Sequence, residues 1–295
     1  MDAVPLPADT AAARETPRAA RWHARLALDY RVQGGRTIVA SSHEGPLRVL
    51  KPLYPERSAA GVAPCQSIVV HPPGGIAGGD ALAVDVHVSG GAQAQITTPG
   101  AAKWYKANGR SATQDIALRV AGALEWLPQE AIVFDAADVA STLAVHVTAK
   151  ARLLGWDIVA LGRTAAGESF ASGCFRQTIR LTEDTPRGPH LHWIERTRLA
   201  GGDPLLHSPI GLGGAPVFGC LWAWGPVWTE AALEALRAQL GNDAAPLTVL
   251  APQLLVARTR GPTTQQVRTT LEATWRALRP QVLGCAALTP RIWAT

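Results

Sequence analysis

The chain has 295 residues, of which 47% are hydrophobic and 17% charged, with 28 Gly, 22 Pro and 4 Cys. That balance excludes intrinsic disorder, a disulfide scaffold and a helical bundle, because breakers this frequent favour many short elements. The net charge is +5, but the basic residues are scattered, so a nucleic-acid partner is not expected.

Residues 1–21 read as a flexible Ala/Arg-rich N-terminal extension. They lack the apolar run of a secretory signal. Residues 22–295 read as one β domain ending in helices. Strand patterns then recur every 8–14 residues. Ala81–Val88 alternates, with Leu82, Val84, Val86 and Val88 on one face and Asp85 and His87 on the other. Ala92–Thr98, Asp115–Val120, Ala131–Phe134, Thr142–Thr148, Arg152–Leu161, Phe175–Leu181 and His190–Arg198 follow. No strand–helix–strand alternation appears, and no internal repeat is visible.

Pro204–Thr229 carries no Asp, Glu, Lys or Arg. It is long enough to cross a bilayer, but four prolines argue against a membrane helix. The reading is a loop over Pro204–Ala215 and a buried strand over Val217–Trp224. An apolar patch here, left open without a partner, would favour aggregation. Helical spacing is confined to the C-terminal part. Thr229–Leu240 has Thr229 as N-cap and Gly241 as stop; Thr263–Leu278 is framed by Pro262 and Pro280, with Leu247–Ala257 as a strand between them. A β core covered on one side by two C-terminal helices results.

Four segments could carry chemistry. His71–Asp80 (HPPGGIAGGD) is Gly-rich but matches neither a P-loop nor a dinucleotide fingerprint, and Asp80 can cap its own loop. Thr97–Lys106 (TTPGAAKWYK) holds two of the four lysines, including Lys103, and reads as an anion loop or simply an exposed one. Leu124–Asp135 (LEWLPQEAIVFD) offers Glu125, Glu130 and Asp135 as hard-metal ligands or an acid/base pair. The fourth region holds Asp157, Arg163 and Glu168, with Asp157 and Arg163 as a possible pair. His190 and His192 have strand spacing that places both rings on one face, a weak candidate for a transition metal. The four cysteines form no CxxC pair and read as reduced, mostly buried thiols of a cytosolic protein.

In order and spacing, the first three segments and LGRTAAGE (Leu161–Glu168) of the fourth resemble the urease accessory protein D family (UreD or UreH), across residues 22–290. The resemblance implies a mainly β fold of stacked, β-helix-like strands with two C-terminal helices. It also implies a non-enzymatic role: binding apo-urease and helping to deliver nickel to its active site, with a helical UreF-like protein and a UreG-like GTPase. On this reading the helices help to dock the UreF-like partner. No cofactor is tightly bound, nickel is in transit through an internal tunnel, and no membrane or nucleic acid is involved. A conduit should offer few and weak ligands, because a Cys/His cage would trap the ion. Asp80, Glu125, Glu130, Asp135, Asp157 and Glu168 are therefore candidate tunnel or entrance groups, with Lys103 and Arg163 as supporting charges. The alternative is a β-helix enzyme that cleaves sugars with paired carboxylates.

Overall fold

The computed structural model describes residues 22–56, 62–241 and 245–294. The extension assigned to residues 1–21 lies outside the described residues. The described chain opens with a hairpin, β1 (His23–Gln33) and β2 (Arg36–Glu44), followed by the short β3 (Arg48–Val49). It then winds in coils. The first holds β4 (Cys65–Val70) and β5 (Ala81–Val88). The second holds β6 (Gln93–Thr97), β7 (Ala102–Trp104) and β8 (Ala112–Val120). The third holds β9 (Ala123–Leu127), β10 (Ala131–Val133) and β11 (Asp138–Val147), and the fourth β12 (Arg152–Leu161) and β13 (Cys174–Thr185).

Equivalent strands of successive coils pair in parallel. β4, β6, β9 and β12 stack in one sheet, and β5, β8, β11 and β13 in the other. The pitch is regular: Cys65 pairs with Ala94, Ala94 with Leu124 and Leu124 with Leu153, steps of 29, 30 and 29 residues. A narrow third side stacks Ile76, Trp104, Val133 and Leu161, all buried. The expected β-helix-like stacking is present. The repeat that composition hides is structural: each coil needs only its inward positions apolar, so the remaining residues and the corner lengths drift apart.

Antiparallel strands finish both sheets. β14 (Gly188–Ala200) pairs with β13, giving a seven-stranded sheet ordered β14-β13-β11-β8-β5-β1-β2. β15 (Val217–Trp224) pairs with β12, helix α1 (Glu230–Leu240) follows, and β16 (Leu247–Ala251) and β17 (Leu254–Gly261) close the ten-stranded sheet. The chain ends in α2 (Thr264–Leu283) and a short 3-10 turn, Arg291–Ala294.

One apolar core fills the space between the sheets, including Leu28, Val86, Leu118, Val145 and Phe175. A second lies between the outer face of the ten-stranded sheet and the helices. There Leu154, Trp156 and Leu221 meet Leu236, Leu271, Trp275 and Leu278. Each fully buried large side chain contributes about 1.5–3 kcal/mol. Thr229 and Thr263 cap their helices by accepting from Ala232 and Gln266 N–H groups.

Several boundaries differ from the sequence reading. Leu247–Ala257 is a hairpin, turned at Pro252–Gln253, because a proline cannot donate to a ladder. Pro280 lies inside α2: the helix runs on to Leu283 and stops at Gly284 (φ +72°), whose N–H bonds the Pro280 carbonyl. Burial of Leu278, Arg279 and Val282 offsets the hydrogen bond that a proline forfeits. Strands β1, β2, β3, β4, β7 and β9 add to the candidates. The uncharged stretch splits in two. Val217–Trp224 is a core strand, so that part of the expected open patch is internal, while Leu205, Ile210 and Val227 do face solvent. Among the described residues, no helix is long and apolar enough to cross a membrane.

Candidate functional site

The four sequence segments are the same corner of four consecutive coils. Each lies where the chain turns from the ten-stranded sheet onto the narrow third side, and they bond to one another. In the first, Asp80 Oδ2 accepts from Ala77 N–H (2.8 Å), so Asp80 caps its own loop. That loop packs flush on the second corner: a Cβ on Gly75 would strike the Tyr105 ring, and one on Gly78 the Ala107 carbonyl. The second and third corners are joined by Gln129 N–H donating to Thr98 Oγ1 (2.9 Å), Ala102 N–H to the Glu130 carbonyl (2.8 Å) and Thr97 Oγ1 to the Leu127 carbonyl (2.6 Å). The third and fourth meet where Asp135 N–H donates to Glu168 Oε1 (3.1 Å).

Behind these corners a cavity of about 370 Å³ runs inward between the two sheets. Its mouth is formed by His71 and Gly74–Gly75, by the Thr97–Lys103 turn, and by Pro128–Gln129. Its interior carries Gln114, Ser141 and Gln177, which are register neighbours on β8, β11 and β13. Facing them from β12 is Asp157, whose Oδ2 accepts from Gln177 Nε2 at 2.5 Å across the gap between the sheets. Burial pushes the Asp157 carboxyl above the usual carboxylate range, against the hydrogen bond from Gln177, and the nearby Glu195 charge adds to the rise. Burial also lowers His71 at the mouth, partly countered by Asp80. The Gln129 amide Nε2 is buried without a hydrogen-bond partner beside this cavity, an expense that a ligand or water in the cavity would relieve.

The six candidate carboxylates do not converge. Among the described residues, Asp157 is the one acidic group lining the cavity. Its expected pairing with Arg163 is absent. Arg163 instead binds Glu168 (2.5 and 3.1 Å) and sits over the Phe134 ring, and that pairing, with the Asp135 N–H, holds the Glu168 carboxyl low. Asp135 accepts from the N–H groups of Ser172 and Ala171 (2.7 and 2.9 Å), which depress its pKa. Glu130 lies 3.7 Å from Arg268 of α2. Lys103 lines the cavity mouth with no carboxylate partner among the described residues.

Glu125 faces the other way, toward α2. It ends a buried ladder in which Gln66 Nε2 donates to Gln95 Oε1 (2.6 Å) and Gln95 Nε2 to Glu125 Oε2 (3.0 Å), the three being register neighbours on successive coils. Trp275 Nε1 (2.7 Å) and Arg279 Nε and Nη2 (3.0 and 2.9 Å) complete its shell, and Glu56 takes the remaining side of Arg279 at 2.8 Å. Burial works against the Arg279 charge, but the two carboxylates hold its pKa above the ordinary value.

His190 and His192 do lie together, with ring centroids 4.6 Å apart. His192 is the extra residue of a β-bulge and is engaged with Glu183 Oε2 at 2.9 Å. Among the described residues, no group of three or more His, Cys, Asp or Glu side chains is arranged to hold a metal ion. All four cysteines are free; Cys65 and Cys220 are buried, and Cys174 and Cys285 are partly exposed.

Sequence reasoning missed Gln114, Ser141, Gln177, Gln129 and the Arg279 clamp. For the first three a signal existed. Each is a polar residue in the apolar phase of an alternating strand, as in Phe175, Gln177, Ile179, Leu181.

The model of the UreD urease accessory protein family matches residues 23–294. Among curated relatives, a urease accessory protein UreD of Pseudomonas fluorescens is 50% identical over 277 residues, covering 93% of this chain and 95% of the relative. Another from Dechloromonas aromatica is 45% identical over 281 residues, with the same coverage. A urease accessory protein UreD 2 of Pseudomonas syringae pv. syringae is 45% identical over 294 residues, covering 98% and 99%. These relatives are accessory proteins and not enzymes, which sets aside the sugar-cleaving alternative. The chain belongs to the UreD family of urease accessory proteins.

Proposed function

We propose that this chain binds apo-urease and, with UreF-like and UreG-like proteins, passes nickel toward the urease active site through the cavity between its sheets. The few polar groups of a cavity otherwise walled by Leu82, Val84, Ile96, Ile116 and Leu143 carry the reading. One carboxylate, Asp157, stands among neutral oxygen donors from Gln114, Ser141, Gln129 and Gln177. A hydrated divalent cation gains enough there to enter and too little to be trapped. Nickel is cargo on this route and not a resident cofactor. The corner groups sort by role: Asp157 contacts the ion, Lys103 and His71 stand at the entrance, and Asp80, Asp135, Glu168 and Arg163 hold the corners in shape. Glu125 and Glu130 tie α2 to the coils, which steadies the helices that dock the UreF-like partner. His190 and His192 have no place on the route.

The experiment is co-purification of the chain with its urease and accessory partners, followed by nickel-dependent urease activation with the chain deleted and restored. Restored activation in a complex containing this chain is the expected result. Full activation without the chain would overturn the proposal.

A further inference from the structure

The cavity stops at Asp157, but the polar character of the inter-sheet space does not. On the ten-stranded sheet Asp157 pairs with Cys220, and Cys220 with Arg258, so all three project from the same face into the gap. On the opposite sheet Gln177 pairs with Thr197, and Glu195 lies two residues away on the same face of β14. The row ends in an ion pair that spans the two sheets, Arg258 Nη2 and Nε to Glu195 Oε2 at 2.5 and 3.1 Å. Its side chains are 46% and 27% exposed, so this end reaches solvent. The seam runs between two aromatic contacts, Phe175 with Phe218 (6.2 Å) and Trp193 with Trp222 (6.0 Å). A polar row through an apolar core is costly unless its groups are hydrogen-bonded, as Asp157 is to Gln177 and Glu195 to Arg258. Cys220 is 7% exposed and burial pushes its thiol far up, so it stands in the row as a neutral, weak ligand.

We propose that this seam is the second opening of the cavity, and that the Glu195–Arg258 ion pair is its gate. The proposal rests on the cation route and deepens it, because it supplies an exit at the opposite end from the corner loops. With Arg258 in place its positive charge and bulk close the opening. When Arg258 swings into solvent, the Glu195 carboxylate is freed to meet a divalent cation leaving Asp157 past the Cys220 sulfur.

The test uses the full chain with Cys65, Cys174 and Cys285 replaced by Ser, and aminoethyl methanethiosulfonate as the probe of Cys220. Arg258→Gln is expected to raise the labelling rate of Cys220 by about tenfold or more, because a buried thiol reacts only as fast as it is reached. An unchanged rate, with the melting temperature preserved, overturns the gate. Urease activation separates this from the route itself. Cys220→Leu, which plugs the seam, is expected to block activation, as is Asp157→Asn. If Asp157→Asn blocks activation and a folded Cys220→Leu chain does not, the exit is wrong and the route stands. If Asp157→Asn activates fully, the route fails and the exit with it.

Discussion

Glu125 is held by four nitrogen donors, from Gln95, Trp275 and twice from Arg279. A buried carboxylate so enclosed is a structural clamp, and removing it strands a buried guanidinium. Glu125→Leu is expected to cost about 3–5 kcal/mol of stability, and Glu125→Gln, which keeps an acceptor, clearly less. Urea midpoints measure both; a loss near zero for the leucine variant would contradict the clamp. Asp157 behaves in the opposite sense. Its pKa is raised in the folded state, so folding favours its protonated form. Its contribution to stability is therefore largest at low pH and is lost as pH rises from the ordinary carboxylate range through the raised pKa. Asp157→Asn removes that loss. It is expected to stabilise the chain near neutral pH by about 1 kcal/mol, with a smaller gain in acid, as for other groups kept for function at a cost in stability. Thermal melts at two pH values check the sign, and a destabilised variant would show that Asp157 supports the fold.

At the scale of elements, α2 covers the outer face of the ten-stranded sheet, and Trp156, Leu154 and Leu221 depend on it for burial. Ending the chain at Gly261 would expose that face, and the product is expected to aggregate. Size-exclusion chromatography of the truncated chain tests this; a monodisperse monomer would mean that the sheet holds without its cover. Much at this scale was legible in the sequence. Alternation gave Ala81–Val88 at its true bounds, apolar runs gave Arg152–Leu161 and Val217–Trp224 at theirs, and Thr229, Thr263 and Gly241 marked helix ends. Pro280 misled because its cost is local while the burial that overrides it is tertiary. The hairpin of β16 and β17 was missed because an apolar run on both sides of Pro252 reads as one strand.

For the whole molecule, the four motifs lie about a coil apart in sequence and stack at one corner in space. Their residues were legible; their convergence was not, because no one residue recurs through all four equivalent positions, Cys65, Ala94, Leu124 and Leu153. For the same reason the sequence offered six carboxylates of equal standing. Only the strand phase separates Asp157, which faces the gap between the sheets, from Glu125, which faces α2. On the proposed route a cation passes Asp157 on its way to urease. The most direct measurement is nickel-dependent urease activation in cells carrying Asp157→Asn, alongside co-purification of the variant with its partners. The complex is expected to assemble normally while activation falls by about tenfold or more, because the one carboxylate of a weak site is removed. Assembly with undiminished activation would contradict it.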